Sequence, residues 1–142
     1  VNRLSFGAQS FSPEILRTLG RIHSVDQIHA AAAAAKSAGL SNFNLDLIFG
    51  VPGQTLPDVR ADLHQAVKLE PAHISTYGLT IEKGTPFYQS YKRGDWSLPP
   101  EDLLIEMTDE IIGFLDSCGY RRYEISNFAL APGAEPFDVQ EA

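Results

Sequence analysis

The chain has 142 residues, with 11 lysines and arginines against 18 aspartates and glutamates, so its formal net charge is −7. This acidic balance argues against a nucleic-acid partner or an anionic membrane surface, because both need a basic face. Its one cysteine, Cys118, excludes an internal disulfide and an iron–sulfur cluster held by cysteines of this chain alone. No apolar run approaches the roughly 20 residues that span a bilayer. The first residue is Val rather than Met, so we expect a piece of a longer protein.

The first third of the chain predicts a strand followed by two helices. Alternating residues near 3–8 indicate the strand. Ser12 precedes a proline and an acidic residue, which is typical of a helix start. Ser24 and Gln27 have the spacing of a capping box, and the helix they open runs through an alanine-rich segment to a stop at Gly39.

The clearest strand is 43–49, because its polar and apolar residues alternate. A helix follows from Thr55 to just before Pro71, and a third strand is predicted over 73–80. One face of the 43–49 strand carries Phe43, Leu45, Leu47 and Phe49, and the other carries Asn44, Asp46 and Ile48.

The last part of the chain predicts a short helical turn up to Gly94, an amphipathic helix over about 100–118 and a strand over 120–128. The remaining residues have no periodicity. Strands that alternate with helices indicate an α/β fold with a parallel sheet and helices outside it. Either a doubly wound sheet or part of a barrel satisfies this order.

Four residues are candidates for a binding site, because ligands of parallel α/β folds sit at the carboxyl ends of the strands. Gln9, Asp46 and Thr80 lie on or just after the three predicted parallel strands, and Arg21 follows the first helix. Asp46 faces away from the large apolar residues of its strand, so it needs a partner. A ligand hydroxyl would serve, and so would a structural contact with Arg21 or with backbone.

Other residues indicate structure rather than chemistry. The histidines of the chain have no metal-ligand spacing, and the loop 50–54 lacks the pattern of a phosphate loop. Cys118 lies on the apolar stripe of its helix, which predicts a buried, unreactive thiol.

Five segments together resemble one known family. They are 2–11, 19–23, 44–55, 73–87 and 119–129, and they occur in order over nearly the whole chain. The set resembles the radical S-adenosylmethionine family of oxygen-independent coproporphyrinogen III oxidases, on its haem-chaperone (HemW-like) branch.

The resemblance implies the later half of a partial (β/α)6 TIM-type barrel, the radical SAM barrel. On this basis residues 1–98 form the barrel part, and 99–129 form a helix plus a strand that pack on it or follow it. Residues 130–142 diverge from the family pattern, as a frameshift or a truncated gene would produce.

The resemblance also implies cofactors and their contacts. In the family, the residues that match Gln9, Arg21 and Asp46 line the pocket for S-adenosylmethionine, and Thr80 adds backbone contacts. The family's three-cysteine motif has no counterpart here. The [4Fe–4S] cluster and haem are therefore implied for the full-length parent, and the cluster cannot be held by this chain alone.

The expected function is that of a fragment of a cytoplasmic, haem-chaperone-like radical SAM protein. Haem or a porphyrinogen, and a haem-acceptor protein, are the implied partners. One alternative is oxidative decarboxylation of coproporphyrinogen III. Another is a fragment without independent activity, because an open half-barrel exposes a sheet edge and apolar surface.

Overall fold

The computed structural model describes residues 2–134, which form one five-stranded mixed sheet covered by helices. This arrangement confirms the predicted α/β class. The elements in chain order are β1 (Leu4–Gln9), α1 (Pro13–Thr18), α2 (Val25–Ser37), β2 (Phe43–Phe49), α3 (Leu56–Lys68), β3 (His73–Gly78), α4 (Pro86–Arg93), α5 (Glu101–Ser117), β4 (Tyr120–Glu124) and β5 (Asn127–Leu130).

Side-chain caps begin the helices where the sequence predicts them. The Ser12 hydroxyl accepts from the third residue of α1. Ser24 and Gln27 form the predicted capping box of α2, and Thr55 forms a second capping box with Asp58 at α3. Each cap satisfies backbone N–H groups that have no partner inside the helix, so each of these helices begins at a defined residue.

The alternation in β2 separates a dry face from a polar face. Phe43, Leu45 and Leu47 are buried in the core under the helices. Asn44 and Asp46 point to the opposite face of the sheet, as the alternation predicts. This second face carries the polar side chains of the candidate site.

The strand order is β1-β2-β3-β5-β4, in which β1, β2 and β3 are parallel and β5 runs antiparallel to β3. The prediction of a single strand over 120–128 was wrong. The chain turns at Ile125 and Ser126, and β4 pairs antiparallel with β5. This turn has no glycine or asparagine at its two central positions, so the usual hairpin signal is missing.

The hairpin and α5 share the sheet and core of the earlier elements. Met107 and Leu115 of α5 and Phe128 of β5 are buried in the same cluster as the apolar face of β2. The third strand ends at Gly78, two residues before its predicted end. The boundary proposed at residue 98 stays a prediction, and residues 135–142 of the predicted divergent tail lie outside the described residues.

Candidate functional site on the polar face of the sheet

Asn44 is the centre of a hydrogen-bond network on the polar face. Its Nδ2 donates to Ser5 Oγ at 2.9 Å and to Asp46 Oδ1 at 2.8 Å. Its Oδ1 lies 2.6 Å from His73 Nδ1 and accepts from Ser75 Oγ at 3.2 Å. An ionised carboxylate only accepts, so Asp46 fixes which way the Asn44 amide points.

The hydrogen bond to Asn44 fixes the tautomer of His73. Asn44 Oδ1 is an acceptor, so the neutral imidazole carries its proton on Nδ1. Its Nε2 then accepts from the Tyr123 hydroxyl at 2.5 Å. Burial lowers the pKa of His73, and the charge of Arg3 lowers it further. A neutral histidine therefore links Asn44 to a tyrosine of the β4 strand.

Asp46 uses one carboxylate oxygen in this network. Among the described residues, its second oxygen has no hydrogen-bond partner. Asp46 is half-buried, and it directly precedes Leu47, the residue that pairs with Gln9 of β1 after an irregularity in the register. The structure thus brings two predicted site residues to adjacent positions on neighbouring strands.

Gln9 ends β1 in an unusual backbone conformation. Its φ is +66°, and Ser10 N–H donates across it to Ala8 O at 2.8 Å. This three-residue hydrogen bond with positive φ at the centre is the rare, strained form of the γ-turn. The Gln9 side chain folds back over Gly7, where an added Cβ would lie 2.9 Å from its Nε2. The absent side chain of Gly7 thus leaves room for the Gln9 amide.

Arg21 and Thr80 lie in loops rather than on the sheet. Arg21 is exposed and lines a surface cavity of about 410 Å³ with Arg17 and His23. The loop of Arg21 approaches β1, because His23 Nε2 lies 3.0 Å from Ala8 O. Thr80 is exposed two residues after β3, and the structure does not join its side chain to the polar network.

Asp62 of α3 is a residue that the sequence analysis missed. It is 5% exposed, and it accepts from Ser10 Oγ at 2.7 Å and from Phe11 N–H at 2.8 Å. Burial raises its pKa to about 6, although both hydrogen bonds oppose that shift. The available signal was an aspartate on the apolar stripe of a helix, three residues after Val59 and one before Leu63.

The described residues do not fit a metal cluster. They contain no group of three or more His, Cys, Asp and Glu side chains that could hold a metal ion. Cys118 is buried, and its burial raises the pKa of the thiol, so this cysteine is not poised to ligate. The polar face instead presents groups on Asp46 and Gln9 that can hydrogen-bond to the hydroxyls of a ligand.

Comparison with known proteins finds one matching family model and a group of similar haem chaperones. Residues 1–66 match the family described as the Radical SAM superfamily. The chain is 39% identical over 131 residues to the heme chaperone HemW of Bacillus subtilis and 43% identical over 129 residues to that of Escherichia coli. This chain is thus similar to radical SAM proteins over its first 66 residues and to HemW over most of its length. Its HemW relatives are matched over 92% and 91% of this chain but over only 35% and 33% of their own lengths.

Two solved structures are also similar to this chain. The coproporphyrinogen III oxidase HemN from Escherichia coli, a radical SAM enzyme, superposes with a TM-score of 0.78 at 29% identity, covering 94% of this chain and 30% of the enzyme. The archaeal Elp3 of Methanocaldococcus infernus gives a TM-score of 0.66 at 27% identity over 75% of this chain and 26% of Elp3. The fold of this chain is therefore a portion of the TIM-barrel fold of these neighbours.

The name of the matched family, Radical SAM, refers to S-adenosylmethionine. The names of these relatives, heme chaperone HemW and coproporphyrinogen III oxidase HemN, refer to haem and porphyrin chemistry. No helix among residues 2–134 has the length and apolarity that crossing a membrane requires. The cytoplasmic location stays a prediction.

Proposed function

We propose that this chain supplies part of the S-adenosylmethionine pocket of a HemW-like, haem-binding radical SAM protein. One observation carries the proposal. The Gln9 amide and the second Asp46 oxygen lie on adjacent strands of the polar face, and neither has a hydrogen-bond partner among the described residues. Two half-buried polar groups without partners on neighbouring strands are typical of a ligand site.

The residues fit S-adenosylmethionine chemically. Asp46 accepts from ribose hydroxyls, and Gln9 can both donate to and accept from them. Arg21, exposed beside β1, pairs its guanidinium with the methionine carboxylate. Thr80 contributes backbone contacts from the loop after β3.

The [4Fe–4S] cluster would supply the electron for reductive cleavage of S-adenosylmethionine, and its ligands must come from outside this chain, which has one cysteine. The role left to this chain is to bind and orient the ligand. Haem or a porphyrinogen, and a haem-acceptor protein, are then partners of the whole protein.

Binding of S-adenosylmethionine to the full chain tests the proposal by NMR titration. We expect amide shifts at Gln9, Arg21, Asp46 and Thr80, and a loss of affinity of about tenfold or more in Asp46→Asn, since hydrogen bonds to a charged group are worth about 1.5–3 kcal/mol. Asp109→Asn, on the exposed side of α5, is the matched control and should bind like the unmodified chain. Shifts confined to other regions, or equal affinity of both variants, would count against the assignment.

A second candidate function is oxidative decarboxylation of coproporphyrinogen III, which the likeness to HemN favours. A hybrid in which this chain replaces the 129 matching residues of Escherichia coli HemW separates the two. After anaerobic reconstitution, a stable Soret band without turnover supports the chaperone. Decarboxylated porphyrinogen supports the oxidase.

The remaining alternative is a fragment without activity of its own. It is favoured by the sheet edges at β1 and β4, each of which pairs on one side only in the described part of the chain. An inactive hybrid beside an active unmodified HemW would support this alternative.

A further inference from the structure

We propose that Asp62 is a positioning residue that holds the strained turn at Gln9 and so sets where Gln9 presents its amide. The inference rests on the proposed function, because the ligand that Gln9 would meet is S-adenosylmethionine. Its structural part, the control of the turn by Asp62, can be tested without any ligand.

The turn needs an external restraint. A non-glycine residue at a φ of +66° is uncommon, and the strained γ-turn form is rare. Such conformations persist only where the surroundings over-determine them, and they cluster at binding and active sites. Here the strained residue is also one that the family resemblance selects for the ligand pocket.

Asp62 provides that restraint from a different element of the fold. Its Oδ2 accepts from the Ser10 hydroxyl and its Oδ1 accepts from Phe11 N–H. These are the two residues directly after Gln9. Ser10 Oγ also accepts from Ser12 N–H at 3.0 Å, so the restraint extends to the start of α1. The turn is thereby fixed to α3 on its downstream side.

The Ala8 carbonyl anchors the upstream side. It accepts from Ser10 N–H and lies 3.0 Å from His23 Nε2. Asp62 and His23 therefore hold the turn from both ends, and Gln9 is the residue between the two anchors.

A buried aspartate at position 62 lowers the free energy of unfolding. Asp62 lies on the buried stripe of α3 beside Leu63, and no Lys or Arg among the described residues forms an ion pair with it. A buried carboxylate without a cation is disfavoured relative to an apolar residue of similar shape. An apolar side chain is the usual occupant of such a position, so the carboxylate is better explained by the two donors from which it accepts.

The experiment compares Asp62→Leu, which removes both acceptors, with Asp62→Asn, which can accept from Phe11 N–H and donate to Ser10 Oγ. Hydrogen exchange of the Ser10 and Phe11 amides is measured by NMR in the full chain. We expect exchange at both amides to accelerate about tenfold or more in Asp62→Leu, and to recover largely in Asp62→Asn. Asp109→Leu, an exposed position on α5, is the matched control.

Two measurements, the thermal midpoint and the protection of amides from exchange, distinguish a residue that only stabilises the fold from one that positions the turn. If Asp62 positions the turn, Asp62→Leu deprotects the Ser10 and Phe11 amides while the amides of the other elements stay protected. A large fall of the midpoint together with general loss of protection would overturn the inference, as would unchanged exchange at Ser10. Ser10→Ala, which removes one donor and keeps Asp62, is the second variant and should accelerate exchange at Phe11.

Coupling to the ligand is tested by titrating S-adenosylmethionine into Asp62→Leu, Gln9→Ala and the double variant. If Asp62 acts through Gln9, Asp62→Leu weakens binding in the unmodified chain and adds little once Gln9 is truncated. An equal loss in both backgrounds would overturn the positioning role. If the unmodified chain does not bind the ligand, the proposed function fails, while the exchange measurements still decide whether Asp62 holds the turn.

Discussion

At the scale of single residues, the polar face depends on side chains whose hydrogen bonds leave them one orientation. Asp46 orients Asn44, and Asn44 in turn fixes the proton of His73 on Nδ1. Asp62 orients Ser10 and Phe11 in the same way at the end of β1. In both cases a carboxylate, which can only accept, determines the donor groups around it.

The buried carboxyl group of Asp62 should make the free energy of unfolding depend on pH. Burial raises its pKa from 3.8 to about 6 in the folded chain. Between about pH 4 and pH 6 the folded state therefore binds more protons than the unfolded state, so the free energy of unfolding falls as the pH rises through this window. The full effect is about 3 kcal/mol, since one pKa unit corresponds to about 1.4 kcal/mol.

Urea unfolding of the unmodified chain and of Asp62→Leu at a series of pH values measures this effect. We expect the stability of the variant relative to the unmodified chain to grow as the pH rises from about 4 to about 7, because only the unmodified chain buries a charge at that position. A difference that is independent of pH would show that the carboxyl titrates normally.

At the scale of elements, the caps decide where the helices begin. The Ser24 and Gln27 capping box of α2 is formed by residues three positions apart, so the sequence contains it completely. The β4–β5 hairpin is the opposite case. Its turn at Ile125 and Ser126 is set by pairing of β5 with β3, about fifty residues earlier in the chain, and the local residues do not signal it.

The cap of α2 supports a second prediction. Ser24→Ala should lower the free energy of unfolding by about 1 kcal/mol, because the N–H of Gln27 loses its acceptor at the helix start. Ser37→Ala, at the exposed last residue of the same helix, is the control and should change stability by less than about 0.5 kcal/mol. Equal effects of the two changes would refute the capping role.

At the scale of the whole molecule, one core joins the parallel strands to the C-terminal hairpin. Leu115 of α5 is fully buried in the same cluster as Leu45 of β2. Residues 1–98 and 99–129 should therefore unfold together as one cooperative unit.

Leu115→Ala tests this cooperativity. We expect a loss of about 2–5 kcal/mol, and the amides of β2 should lose protection together with those of α5. Hydrogen exchange followed by NMR measures both. Loosening of α5 and β4 alone, with β2 unchanged, would mean that 99–129 is a separate unit.

The sequence by itself determined the helix starts, the three parallel strands and the polar and apolar faces of β2, because each depends on residues two to four positions apart. It also contained the motifs by which Gln9, Arg21 and Asp46 were selected. Only the tertiary structure decided that Asn44 connects Asp46 with His73, that the last strand folds back as a hairpin, and that Asp62 holds the turn at Gln9. Apart from the short link between Asn44 and Asp46, those features depend on contacts between residues 29 to 56 positions apart. The partner of a buried polar group is not determined by its sequence neighbours.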